Sequence, residues 1–129
     1  MESSSADPAV TKGRILVVED DRASRTALLA LLRLCGFEAL PAANVREAMA
    51  RLADSPNCLI LDLMLPDGNG SEVLAHVRKQ NLPIQVVVTT GALQYKEMLD
   101  SSPQPPDMVL QKPVNYRELI EWLQSHCGN

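Results

Sequence analysis

The sequence predicts an α/β fold: a parallel sheet with helices on both faces. Three observations carry this reading. Short apolar runs alternate with stretches of helical periodicity five times along the chain. Three of the helical stretches open on the same Asn-x-x-Glu start, at Asn44, Asn69 and Asn115. The short apolar run Cys58 to Leu61 ends in a carboxylate, Asp62, and the backbone is then broken by Pro66, Asp67, Gly68 and Gly70. Strands alternating with helices at this spacing mean right-handed βαβ crossovers. A carboxylate at the carboxyl end of a buried strand lies where open α/β sheets place ligands and chemistry.

The 129 residues make one domain with room for a proper core. Aromatic residues are few (Phe37, Tyr95, Tyr116 and Trp122), so the core is expected to be aliphatic. A net charge of -4 with no basic run argues against a nucleic-acid surface. No apolar stretch reaches membrane length and no signal-peptide pattern opens the chain. Cys35, Cys58 and Cys127 lack metal-ligand spacing; they read as reduced core residues of a cytoplasmic protein.

Residues 1–12 are rich in Ser, Ala and Asp without periodicity and are expected to form a flexible tail before a domain spanning 13–129. Arg14 to Val18 is a β-branched apolar run and reads as the first strand. Ala27, Leu28, Leu31, Leu32 and Cys35 recur at helical spacing, with Gly36 as the C-terminal cap. Residues 37–40 read as a second strand ending before Pro41. Each Asn-x-x-Glu start supplies two side chains that satisfy free backbone N–H groups. They precede apolar faces built from Ala48 and Leu52, from Val73, Leu74 and Val77, and from Leu119, Ile120 and Leu123. In the last case Val114 is placed to staple against Leu119. Residues 83–90 and 108–110 read as the remaining strands. A short helix over 92–100 is expected between them; the three prolines in 101–106 end it.

The polar residues of interest all fall at one edge of such a sheet. The first strand delivers Glu19, Asp20 and Asp21, the third Asp62, the fourth Thr89 and Thr90, and the fifth Lys112. Two carboxylates ~4 Å apart repel by about 4 kcal/mol at an effective dielectric of ~20. A shared proton, Lys112 or a hard divalent cation must offset this. Mg²⁺ suits oxygen ligands and uses one or two carboxylates beside a phosphate. An aspartate is a known phosphoryl acceptor, and a metal, an ammonium and a hydroxyl stabilise the transferring group. Asp21 reads as the cap of the first helix. His76 and His126 stand alone on helices and read as surface residues.

The segments Ile15 to Asp21, Leu61 to Gly68, Val87 to Gly91 and Gln111 to Pro113 resemble the receiver domain of two-component response regulators, over residues 14 to 126. The resemblance implies a three-layer, flavodoxin-like, doubly wound sheet of five parallel strands in the order 2-1-3-4-5 with five helices. It implies Asp62 as phosphoacceptor and Asp20 as a direct Mg²⁺ ligand. Glu19 would bind the ion at least through water, and the Met64 backbone carbonyl would complete the metal site. Lys112 would pair with the phosphoryl group, and Lys112-Pro113 would be a cis peptide. Of Thr89 and Thr90, the switch residue is taken as Thr90, because Lys112 follows it by the family spacing of 22 residues and the small Gly91 comes next. Two features depart from the family: Val109 stands where an aromatic is usual, and the helix over 92–100 is short. Output is therefore expected to depend on ordering that helix.

These implications describe a phosphorylation-controlled switch of a two-component system or phosphorelay, not an enzyme in its own right. Its phosphoryl donor would be a histidine kinase or a phosphotransfer protein. Because no output domain follows Asn129, the signal would pass to a downstream protein, with no nucleic acid or membrane involved. An aspartate-nucleophile phosphatase would want an acid two residues after the nucleophile, where Met64 stands. The alternative is a receiver fold that binds proteins without phosphorylation.

Overall fold

The computed structural model of the protein describes residues 13–91 and 104–127. Its elements, in chain order, are β1 (Arg14–Val18), α1 (Arg22–Leu34), β2 (Glu38–Ala42), α2 (Val45–Arg51) with a 3₁₀ turn (Leu52–Asp54), β3 (Cys58–Asp62), β4 (Met64–Leu65), β5 (Gly68–Asn69), α3 (Ser71–Lys79), β6 (Gln85–Thr90), β7 (Met108–Gln111) and α4 (Tyr116–His126). The expected tail over 1–12 and the expected helix over 92–100 lie outside the described residues, which hold four of the five expected helices.

Five strands form one parallel sheet in the order β2-β1-β3-β6-β7. With the two-residue strands left out, this is the order 2-1-3-4-5. Strand alternation divides the core into two layers. Ile15, Val17, Ile60 and Val87 face Leu28, Leu29 and Leu32 of α1 and Leu119 and Leu123 of α4. Leu16, Val18, Leu59, Leu61, Val86 and Val88 face Ala48 of α2 and Val73, Leu74 and Val77 of α3. β3 is buried along its whole length, as a central strand of a doubly covered sheet must be. Among the described residues no helix is long and apolar enough to cross a membrane.

Local chemistry sets the helix ends. Asp21 caps α1 by accepting from the Ser24 N–H at 2.8 Å, and Asn44 and Asn115 cap α2 and α4 from Glu47 and Glu118. Gly36, at φ 95°, ends α1 in the left-handed region. There its N–H donates to the Arg33 carbonyl and that of Phe37 to the Leu32 carbonyl, a Schellman closure. Val114 packs onto the layer that contains Leu119.

Three details differ from the sequence expectation. Residues 37–40 were expected to be a strand stopping short of Pro41, yet β2 runs through Pro41 to Ala42. Among the described residues β2 is an edge strand paired only with β1, and the proline nitrogen falls on its outer side, where no ladder bond is lost. On that same outer side the Arg33 guanidinium donates to the Ala39 carbonyl at 2.8 Å. Second, the break after Asp62 is not a plain loop: β4 and β5 form a small antiparallel hairpin. Third, Asn69 accepts from the Ser71 N–H rather than from Glu72, because Gly70 already has helical φ and ψ and occupies the cap position.

Candidate functional site

The carboxyl ends of β1, β3, β6 and β7 meet at one sheet edge, and the predicted site residues meet with them. β1 and β3 are neighbours, so Glu19 and Asp20 leave the sheet beside Asp62. One carboxylate oxygen from each of Glu19, Asp20 and Asp62 lies within 4.8 Å of the others. Asp62 is buried, Glu19 half-buried and Asp20 exposed, so the cluster opens to solvent on one side.

Lys112 neutralises part of this charge. Its ammonium donates to Asp62 Oδ2 at 2.9 Å and to Glu19 Oε1 at 3.0 Å. Partial burial pulls the ammonium down, but the bonds to Asp62 and Glu19 outweigh it and hold Lys112 above its ordinary range. The Lys112 N–H donates to the Thr90 carbonyl, which fixes the start of the loop, and the Lys112–Pro113 peptide is cis.

Backbone groups complete the frame. Met64 N–H donates to Asp62 Oδ1 at 3.1 Å, so the two Asp62 oxygens have different partners, an amide and an ammonium. Gly70 N–H donates to the Leu63 carbonyl, drawing the end of the hairpin back against β3. A Cβ at Gly70 would overlap the Asp62 carbonyl, so only glycine fits there.

The two threonines take different places. Thr89 is the register partner of Asp62 and lines, with Val17, Leu28, Ile60, Lys112 and Leu119, a cavity of about 210 Å³ beneath Lys112. Thr90 is fully buried at the end of β6. Val109 is half-buried against the layer that holds α2 and α3. His76 is exposed; His126 is also exposed and stacks on Trp122, with ring centroids 4.3 Å apart.

Two residues escaped the sequence reading. The Arg25 guanidinium donates to the Glu19 carbonyl at 2.8 Å and the Asp20 carbonyl at 3.3 Å, pinning the backbone of the acidic turn. No sequence signal distinguishes it from any other helix-surface arginine. Asp67 accepts from the Val45 and Arg46 N–H groups, bridging the hairpin to α2. Its Pro-Asp-Gly setting announced a turn but not this contact.

The donor set matches a hard cation: three carboxylates with oxygens at close quarters, and neither sulfur nor imidazole among them. The arrangement brings a buried carboxylate, two further acids and an ammonium to one solvent-facing point, the parts that phosphoryl chemistry on an aspartate requires.

Comparison with known proteins gives the same reading. The family model for the response regulator receiver domain matches residues 15–124. The transcriptional regulatory protein CpxR of Klebsiella pneumoniae is 35% identical over 107 residues, covering 83% of this chain and 46% of that protein. The response regulator MprA of Mycolicibacterium vanbaalenii is 34% identical over 108 residues, covering 83% and 47%. The chain thus spans about half the length of the curated relatives it matches. Among solved structures, a CheY-like receiver domain protein from Methanospirillum hungatei superposes with a TM-score of 0.79 at 30% identity, covering 87% of this chain and 90% of that one. The response regulator TrrA of Thermotoga maritima, solved in complex with Mg²⁺-BeF, gives 0.77 at 30% identity, covering 87% and 96%. The chain belongs to the response regulator receiver domain family, whose members are phosphorylation-controlled switches in two-component signalling.

Proposed function

We propose that the chain accepts a phosphoryl group on Asp62 from a histidine kinase or phosphotransfer protein and passes the resulting change to a downstream protein. One observation carries this: the Lys112 ammonium bridges Asp62 and Glu19 inside a cluster whose three carboxylates approach within 4.8 Å. In the transfer, an Asp62 carboxylate oxygen forms a bond to phosphorus as the donor's phosphorus–nitrogen bond breaks. Lys112 exchanges part of its bonding from carboxylate to phosphoryl oxygen, so its charge is present where negative charge builds. Arg25 keeps the Glu19–Asp20 turn in place through its carbonyls. Asp20, Asp62, Glu19 and the Met64 carbonyl are the groups that would hold Mg²⁺. When bound, that ion neutralises the phosphoryl oxygens and lowers repulsion within the cluster. Thr90, at the end of β6, is the hydroxyl assigned to sense the phosphoryl group, and its movement would bias a two-state equilibrium. The TrrA complex with Mg²⁺-BeF supports this reading by likeness. We place the exchange in the cytoplasm, where Cys35, Cys58 and Cys127 would stay free thiols.

The test is incubation with Mg²⁺ and acetyl phosphate, followed by intact mass. A single phosphoryl adduct is expected, absent without Mg²⁺ and absent in Asp62→Asn. An adduct that persists in folded Asp62→Asn, or none in the folded parent protein, overturns the assignment.

A further inference from the structure

We propose that Asp67 is the positioning residue for the loop after the phosphoacceptor, and that it works by holding the free amides of α2. The proposal rests on the reading of Asp62 and the Met64 carbonyl given above.

A helix leaves its first N–H groups without partners inside the helix. In α2 they are shared between two sources. Glu47 N–H goes to the local cap, Asn44. Val45 N–H goes to Asp67 Oδ1 at 2.7 Å and Arg46 N–H to Asp67 Oδ2 at 3.1 Å. Both oxygens of a carboxylate some twenty residues away are thus committed to one helix end. These backbone bonds hold the Asp67 carboxyl below the usual range, so it is ionised at neutral pH and pulls on the positive end of α2.

Asp67 sits at the turn joining β4 to β5. At the other end of β4, Met64 N–H holds Asp62 Oδ1, while the residue itself is 60% exposed. Gly68, next to Asp67, lies so close to α2 and α3 that a Cβ there would meet Glu72 Oε2 at 2.6 Å and Val45 Cγ2 at 3.5 Å. The short span from Asp62 to Gly70 is therefore tied at its base by its own backbone and at its tip by Asp67. Releasing the tip frees Met64, whose N–H serves Asp62 and whose carbonyl is a proposed metal ligand. α2 becomes mechanically part of the site without contributing a side chain to it.

Two measurements on four proteins, with Asp67→Asn as a fifth for comparison, test this: Mg²⁺ affinity by isothermal titration calorimetry, and amide exchange at Met64 in metal-free protein. The proteins are the parent, Asp67→Ala, Val45→Pro and the double variant. Proline suits the first position of a helix, and Asn44 before it is already extended, at φ -159° and ψ 176°. Val45→Pro thus removes one donor while leaving the helix start intact. The expected result for Asp67→Ala is Mg²⁺ binding weakened about tenfold, within the range for outer-shell partners of metal ligands, with faster exchange at Met64. Val45→Pro shows a smaller loss, and the double variant is no worse than Asp67→Ala, because both changes cut the same tie. Asp67→Asn, which keeps an acceptor oxygen, falls between and supplies the reading if the alanine variant does not fold. Unchanged affinity and exchange in Asp67→Ala overturn the proposal, as do fully additive losses in the double variant. If the parent shows no Asp62-dependent Mg²⁺ binding, the functional reading fails on its own, and exchange at Met64 still decides the role of Asp67.

Discussion

Lys112 shows how one residue reconciles burial with charge. Its ammonium bonds to Asp62 and Glu19, and its affinity for the proton is higher in the fold than in the unfolded chain. The sign of the linkage follows. The stabilisation is complete below the unfolded value near ~10.4 and is lost as pH rises through the higher folded value. Urea unfolding midpoints should therefore fall in the alkaline range in the parent, and fall less in Lys112→Met. Parallel alkaline profiles in the two proteins would contradict the pairing. At this scale the acids and Lys112 were legible in sequence because each follows an apolar run, and a strand's end can be read from its composition. Arg25 and Asp67 were not, since a side chain that bonds a distant backbone leaves no periodic trace. Thr90 was chosen over Thr89 from its family spacing to Lys112, not from local composition; in the structure the two alternate along β6, with Thr89 lining the cavity beneath Lys112 and Thr90 fully buried.

The helices owe their placement to caps that the sequence displays openly. Asn44 and Asn115 each accept the N–H three residues on, and Glu47 reaches back to the Ala43 N–H at 2.8 Å. Asn44→Ala and Asn115→Ala should each lower unfolding free energy by about 1 kcal/mol, measured by urea titration. Loss of the Asn44 cap should leave the Asp67 contacts standing, because these use different amides. The repeated Asn-x-x-Glu pattern placed three helices, and at Asn69 it holds in one direction only: Glu72 Oε2 accepts from the Asn69 N–H at 3.1 Å, while Asn69 accepts from Ser71. There Gly70 is drawn toward Leu63 and enters the helical region one residue early. Pro41 was read as a terminator because proline carries no donor. That rule holds for an inner strand, whereas the position of β2 in the sheet is set by chain-wide topology and is invisible locally. The β4–β5 hairpin is too short to show alternation, so it read only as a break.

Across the whole molecule, the alternation of apolar runs and amphipathic stretches was enough to predict a parallel sheet covered on both faces. Strand order was not in that pattern; it came with the family resemblance, and the structure has the same order. The site follows from that order, because only adjacency of β1 and β3 brings Glu19 and Asp20 to Asp62. The division into two aliphatic layers likewise depends on which side each helix crosses, which residue spacing leaves open. Among the described residues the outer side of β2 faces no other strand. A row of unpaired strand groups is a template on which another chain can polymerise. Here the proline supplies no donor at Pro41, and the guanidinium of Arg33 already occupies the Ala39 carbonyl. Together they leave an incoming strand fewer groups to bond, and this margin is expected to resist strand addition. Pro41→Val combined with Arg33→Ala should restore a docking edge and produce concentration-dependent self-association by light scattering, while either change alone has a weaker effect. A double variant that stays monomeric at every concentration would show that the margin is guarded by something else.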